Sequence, residues 1–227
     1  MALLLHIETA TTVCSVALSE NGNLLSLQEE NKGFSHAENI TLFIESVLKT
    51  SGKKISDLDA VAVSSGPGSY TGLRIGVSTA KGLCYALGIP LISVSTLLSL
   101  AQTVRNSKFE IRNSNLCPMV DARRMEVFCA VYDKNLTVVE PVAPKIIDEN
   151  SFSDLLKEKK IFFFGDGAAK CKTVLFHQSN AVFIDAIYPS AASMISLAEE
   201  KFLKKEFENV SLFEPLYGKE FVDGKKL

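Results

Sequence analysis

Two carboxylates stand at comparable points of this sequence. Glu8 closes the apolar run "LLLHIE" and precedes the polar turn "TATT"; Asp121 closes "LCPMVD" and precedes "ARRME". A carboxylate beside hydroxyls at a strand-to-strand turn can hold magnesium and a phosphate, so Glu8, Thr9 and Asp121 form a candidate nucleotide cleft. Two glycine turns could complete it. "SSGPGSYTGLRIG" (64–76) and "GDGAAK" (165–170) each lie between an apolar run and a helical one. Exposed amides at such a helix start attract anions. Gly165 and Gly167 would stand where adenosine sits in a two-lobed ATPase.

Neither glycine turn meets a stricter fingerprint. Gly66 and Gly68 begin a G-x-G-x-x-G pattern, but its third position is Thr71, and Gly72 is followed by Leu73 rather than the lysine of a P-loop. His6, His36 and His177 are too far apart for a metal pair within one helical turn, so no metal site is expected. His6, in an apolar strand, reads as a core residue; His36, opening a helix, reads as a surface one. There is no G-x-S-x-G nucleophile elbow.

The first glycine segment has a second possible use. Gly72, Gly76 and Ala80 recur every four residues inside a helical stretch. An interior glycine costs about 1 kcal/mol relative to alanine. Something must therefore lie close to that face, either the protein's own sheet or another helix. Leu73 and Val77 add apolar area beside it. A neighbouring amphipathic stretch, "SHAENITLFIESVLKTSG" (35–52), carries Ile40, Phe43, Ile44, Val47 and Leu48 on one stripe, with a Ser35/Glu38 capping box.

These residues need elements to position them. The pattern predicts strands over 3–9, 13–19 and 23–30, with "ENG" as a hairpin turn, then the helix 35–52. A strand (59–63), a helix (71–87), a strand (91–94) and a helix capped by Ser95 follow. Residues 105–115 are polar and irregular. Beyond them come strands over 116–121, 126–133 and 136–142, a helix from Ser151 to about Lys157, the strand 161–164, a helix over 168–178, the strand 181–184 and a helix over 190–205. Both halves run strand–strand–strand–helix–strand–helix–strand–helix. Two α/β lobes with mixed sheets, 1–105 and 106–227, are expected.

Composition bounds the rest. The chain has 227 residues, 47% hydrophobic, and a formal net charge of −2, so no sequence-wide basic footprint for nucleic acid exists. Cys14, Cys84, Cys117, Cys129 and Cys171 form no C-x-x-C pair and read as reduced, buried thiols of a cytoplasmic protein. No run approaches the length of a membrane span.

Taken together the motifs resemble one family. "IETATTVCSVAL", "DLDAVAVSSGPGSYTGLRIGVSTAKGL", "VDARRMEVFCAVY", "GDGA", "YPSA" and "EPLY" occur in the order seen in the TsaB (YeaZ) family of tRNA threonylcarbamoyladenosine biosynthesis, over nearly the whole chain. Two departures are visible: Glu8 replaces the family's aspartate, and "DARRMEV" replaces "DARMGEV". The resemblance implies a two-lobed actin-like, sugar-kinase-like ATPase fold of duplicated RNase H-like sheets. It implies a non-catalytic subunit without a cofactor of its own, ATP and magnesium serving the wider complex. The partners implied are the catalytic paralogue TsaD, whose metal-binding histidine pair this chain lacks, a TsaE-like ATPase, a second copy of the chain, and tRNA through the complex. The docking surface implied is the helix pair carrying His36, Ile40, Phe43, Ile44, Val47, Gly72, Leu73, Gly76, Val77 and Ala80. The alternative is an ATPase or kinase-like enzyme using its own interlobe cleft; a peptidase has no nucleophile–base pair to support it.

Overall fold

The computed structural model describes residues 2–33 and 35–218. The first half contains β1 (Leu3–Glu8), β2 (Cys14–Glu20), β3 (Asn23–Glu30), α1 (His36–Thr50), β4 (Ala60–Ser64), α2 (Tyr70–Leu87), β5 (Leu91–Val94) and α3 (Thr96–Arg105). The second contains β6 (Ser114–Asp121), β7 (Glu126–Tyr132), β8 (Val138–Ile146), α4 (Ser153–Glu158), β9 (Lys160–Phe164), α5 (Ala168–Leu175), β10 (Ala181–Ile184), a 3-10 turn (Ala191–Met194) and α6 (Ile195–Lys204).

The two sheets share one topology. Their orders are β3-β2-β1-β4-β5 and β8-β7-β6-β9-β10. In each, the hairpin strands are antiparallel and the strands reached through helices are parallel. The duplicated order expected from the sequence is therefore observed. All six residues of β1 are buried, as a central strand covered on both faces requires. Asn21 and Gly22 both take positive φ at the β2–β3 hairpin, the conformation its two-residue turn needs.

Several helix starts differ from expectation. Ser69 and Ser95 cap α2 and α3, accepting from Gly72 N (3.2 Å) and Leu98 N (3.4 Å). The Ser35/Glu38 capping box does not form: Ser35 Oγ instead accepts from the Asn39 amide at 3.0 Å. Ser151 does not open α4, because its hydroxyl donates to Asp148 Oδ1 (2.8 Å), and the helix begins two residues later. The helix expected over 168–178 stops at Leu175. The one expected over 190–205 begins as a 3-10 turn, with Ser190 accepting from Ala192 N.

The boundary near residue 105 separates the sheets but not the cores. Helix α3 buries Leu97, Leu100, Ala101 and Val104 against Leu116, Phe128 and Phe164 of the second sheet. In return Met194 and Ala198 pack on Leu4, Ala62 and Ile92 of the first. Hydrogen bonds fasten the exchange: Gln102 to Ser196 (3.0 Å), Thr103 to Ser193 (2.7 Å), Lys201 to the Ser93 carbonyl (2.8 Å). The segment after α6 also returns to the first lobe, where Glu208 bridges Leu91 and Leu216 N donates to Ser65 O. Helix α6 and the segment after it, which follow that boundary in the chain, therefore pack on the first lobe.

Candidate functional site

The turn between β1 and β2 is closed by the glycine segment. Ser69 N donates to Ala10 O, and Thr9 Oγ1 donates to Gly72 O at 2.8 Å. A Cβ on Gly68 would overlap the Ala10 carbonyl, one on Gly72 the Thr9 carbonyl, and one on Gly76 the Thr9 hydroxyl. These glycines let the start of α2 lie directly on the chain's own first turn. That settles which neighbour the four-residue repeat serves.

The carboxylate of the same turn faces inward. Glu8 and Thr9 are fully buried. Glu8 Oε1 accepts from Ala10 N (2.6 Å), while Oε2 has no hydrogen-bond partner of good geometry. Burial pushes the Glu8 carboxyl up to about 7, against the smaller opposing pull of the Ala10 amide, the Ser64 hydroxyl and the Thr9 amide. Three of the turn's amides are committed within the fold: Thr9 N to Ser64 Oγ, Ala10 N to Glu8, Val13 N to Thr11 Oγ1. A phosphate-binding turn needs free amides and a carboxylate open to the metal's water shell. Glu8 and Thr9 do not fit nucleotide with magnesium.

The second lobe repeats the arrangement. Gly165 (φ +102°) lies against the Met119 carbonyl, and a Cβ on Gly167 would stand 3.0 Å from Val120 C and 3.1 Å from Asp121 N. Gly167 N donates to Met119 O at 3.1 Å. Here too the glycines serve close approach to the lobe's own turn. Asp121 is exposed, accepting from Arg123 N (2.6 Å) and Lys170 Nζ (3.0 Å). Burial raises the neighbouring Asp166 carboxyl, which accepts from Asp121 N. The polar partners of Glu8 and of Asp121 lie within their own lobes.

The histidines divide differently from expectation. His6 is a core residue, its Nε2 2.8 Å from Ser19 Oγ, and burial lowers it to about 3. His36 is not a surface residue. It is buried and donates Nε2–H to Thr11 O at 2.8 Å, tying α1 to the same first turn; burial lowers its pKa. All five cysteines are free and buried. No group of three or more His, Cys, Asp or Glu that could hold a metal occurs among the described residues.

Most of the helix-pair residues expected at a docking surface are core. His36, Ile40, Ile44, Val47, Gly72, Leu73, Gly76, Val77 and Ala80 are all buried, and Phe43 is half-buried against the same cluster. The amphipathic stripe was read correctly as apolar, but that stripe faces the sheet. What α1 and α2 turn outward is the opposite side: Leu42 at 60% exposure, Tyr85 at 85%, with Gly82 and Ala86 exposed. A Cβ on Gly82 would meet nothing within 4 Å. At the head of α2, the Tyr70 ring lies 4.6 Å from Tyr217 and 4.5 Å from the Arg74 guanidinium.

Comparison with known proteins places this geometry. A family model described as TsaD, tRNA N6-adenosine threonylcarbamoyltransferase, matches residues 30–221. The TsaB proteins of Haemophilus influenzae and Escherichia coli are 29% and 31% identical to the chain. These alignments cover 99% of the chain and 96% and 97% of those relatives. The chain belongs to the TsaB (YeaZ) family. The crystal structure of YeaZ from Pseudomonas aeruginosa superposes with a TM-score of 0.83 at 26% identity, covering 96% of this chain and all of that one. The ADPNP-bound activator of the 2-hydroxyisocaproyl-CoA dehydratase from Clostridium difficile shares the fold alone. Its TM-score is 0.50 at 12% identity, over 91% of this chain and 98% of that one. The fold is the two-lobed actin-like one the family resemblance implied.

Sequence reasoning missed Leu42, Gly82 and Tyr85 as the outward face of this TsaB-family helix pair. The signal was present. Once 72/73/76/77/80/84 is taken as the buried stripe of α2, helical periodicity leaves 78, 82 and 85 opposite it. No helix among the described residues is long and apolar enough to cross a membrane.

Proposed function

We propose that the chain is a non-catalytic subunit of the complex that transfers a threonylcarbamoyl group to the adenosine beside the anticodon of tRNA. It docks on a TsaD-like catalytic paralogue, and in that paralogue's absence on a second copy of itself. A TsaE-like ATPase, with ATP and magnesium, serves the assembled complex, and tRNA is engaged through it. The observation that carries this reading is the use of the glycine segment. Gly68, Gly72 and Gly76 are spent on closing the turn where Glu8 and Thr9 would have held phosphate. The outward face of α1 and α2 meanwhile keeps Leu42 and Tyr85 largely exposed. Large apolar and aromatic side chains on adjacent helices are what a protein interface buries at its centre.

The test is co-expression with the catalytic paralogue from the same genome. Copurification of the wild-type pair is expected, with Leu42→Glu and Tyr85→Glu each weakening it by at least about tenfold, as truncating an interface anchor does at ~2 kcal/mol. The isolated chain should turn over negligible ATP. Unchanged affinity in both variants would remove the docking face, and ATP turnover abolished by Asp121→Ala would favour the enzyme alternative.

A further inference from the structure

The base of the second lobe carries a charge pattern that neither the glycine turns nor the helix pair uses. Residues 105–114 and 157–160 hold six Lys or Arg and two Glu, a net of +4 on a chain whose formal charge is −2. The remaining sequence is therefore at −6. The fold brings the two stretches together. Parallel pairing of β6 and β9 sets Ser114 beside Lys160, so the connection entering β6 lies next to the end of α4. Asn180 Nδ2 donates to Leu156 O at 2.8 Å and pins the turn before β10 to the same place. The result is an open depression of about 460 Å³ lined by Arg112, Lys159 and Lys160 together with Asn113, Glu110 and Glu158.

The cations there are uncommitted. Lys157 pairs with Asp154 at 2.8 Å, but no ion pair or side-chain hydrogen bond among the described residues engages Lys108, Arg112, Lys159 or Lys160. Lys32, Lys53, Lys145, Lys170 and Lys204, like Lys157, each reach a carboxylate; these four do not. Clustered like charges without partners repel one another, and a polyanion relieves that repulsion by exchanging its counterions for them. Cations drawn from two adjoining segments offer contacts to more than one phosphate of a chain, and the Asn113 amide adds a donor.

We propose that this basic face contacts the phosphate backbone of tRNA held by the complex. The proposal rests on the reading of the preceding subsection, since it requires that the chain work beside a tRNA-binding partner. With Glu110 and Glu158 nearby and a net negative chain, the face supplements binding rather than capturing tRNA alone.

The experiment measures tRNA affinity of the complex reconstituted with the catalytic paralogue, across a series of salt concentrations. Wild type is compared with the charge reversal Arg112→Glu/Lys159→Glu/Lys160→Glu and with the milder Arg112→Gln/Lys159→Gln/Lys160→Gln. Assembly of each complex is followed separately by size exclusion. Each phosphate contact contributes about 0.7–0.9 to the slope of log affinity against log salt, so the triple variants should lose about 2 from that slope. Affinity near 0.15 M salt should fall about tenfold for the reversal and less for the neutral set. Unchanged affinity and slope in an intact complex would overturn the proposal. So would loss of assembly in the reversal, which would make the face a protein–protein surface. Failure of the wild-type pair to assemble would instead sink the underlying functional reading, and this proposal with it.

Discussion

Alanine placed at two glycines of one helix should give opposite results. At Gly76 the new methyl would overlap Thr9 Oγ1 and stand 3.4 Å from Thr9 Cβ and 3.5 Å from Ile7 Cγ2. Thr9 is fully buried and its hydroxyl is fixed on Gly72 O. To admit the methyl, either that hydroxyl turns away or α2 lifts from the sheet. The first leaves a buried polar group unpaired, at about 1–3 kcal/mol. The second is overpacking, also typically ~1–3 kcal/mol. Alanine recovers about 1 kcal/mol of helix propensity over glycine. Gly76→Ala should therefore destabilise by up to roughly 2 kcal/mol. At Gly82 nothing lies within 4 Å, so only the propensity gain remains, about 1 kcal/mol of stabilisation.

For a chain of this length each kcal/mol moves Tm by about 2–4 °C, so the two variants should melt roughly 2–12 °C apart, Gly82→Ala above wild type and Gly76→Ala below it. Differential scanning calorimetry reads this directly. A Gly76→Ala protein that melts as high as Gly82→Ala would refute the close approach of α2 to the first turn. A Gly82→Ala protein that falls as far as Gly76→Ala would refute the outward placement of Gly82. Gly76→Leu, by the same geometry, acts on stability first. Any loss of partner binding should then follow the loss of folded protein.

Glu8→Gln should change the pH dependence of stability. Burial pushes the folded carboxyl up to about 7 from the ordinary glutamate value of 4.5, so the folded state holds a proton that the unfolded state has released between those values. Stability from this group is present below about 4.5 and is lost as pH rises through about 7; the loss is at most ~3 kcal/mol. Urea unfolding of wild type and variant from pH 5 to 8 should converge at the acid end and favour the variant at pH 8. A constant difference would count against the buried carboxyl. His6 and His36, both lowered by burial, add the opposite slope to both proteins and cancel in the comparison. His36→Ala should lower the urea midpoint by an amount worth about 1–3 kcal/mol, because Thr11 O loses its buried donor. An unchanged midpoint would show that α1 does not depend on this tie.

The sequence by itself determined the order of elements, the duplication and the family. Those are carried by local periodicity, by the Asn21–Gly22 turn, and by the serine cap at 95, whose partner lies within three residues. It also showed that Gly72, Gly76 and Ala80 mark a close approach. What it could not say is which surface approaches, because the 3.6-residue period gives an apolar stripe without naming its neighbour. Only the tertiary structure turns that stripe onto Thr9 and leaves Gly82 and Tyr85 outside. The same limit applies to Glu8 and His36. A carboxylate after a strand and a histidine at a helix start look accessible in sequence. Their burial is decided by contacts dozens of residues away, the glycine segment above Glu8 and the first turn beside His36. The exchange of α3 and α6 between lobes is equally non-local. Each helix is amphipathic whichever sheet it covers, and only the path of residues 106–113 and the return of the chain after β10 bring it to the other lobe's core.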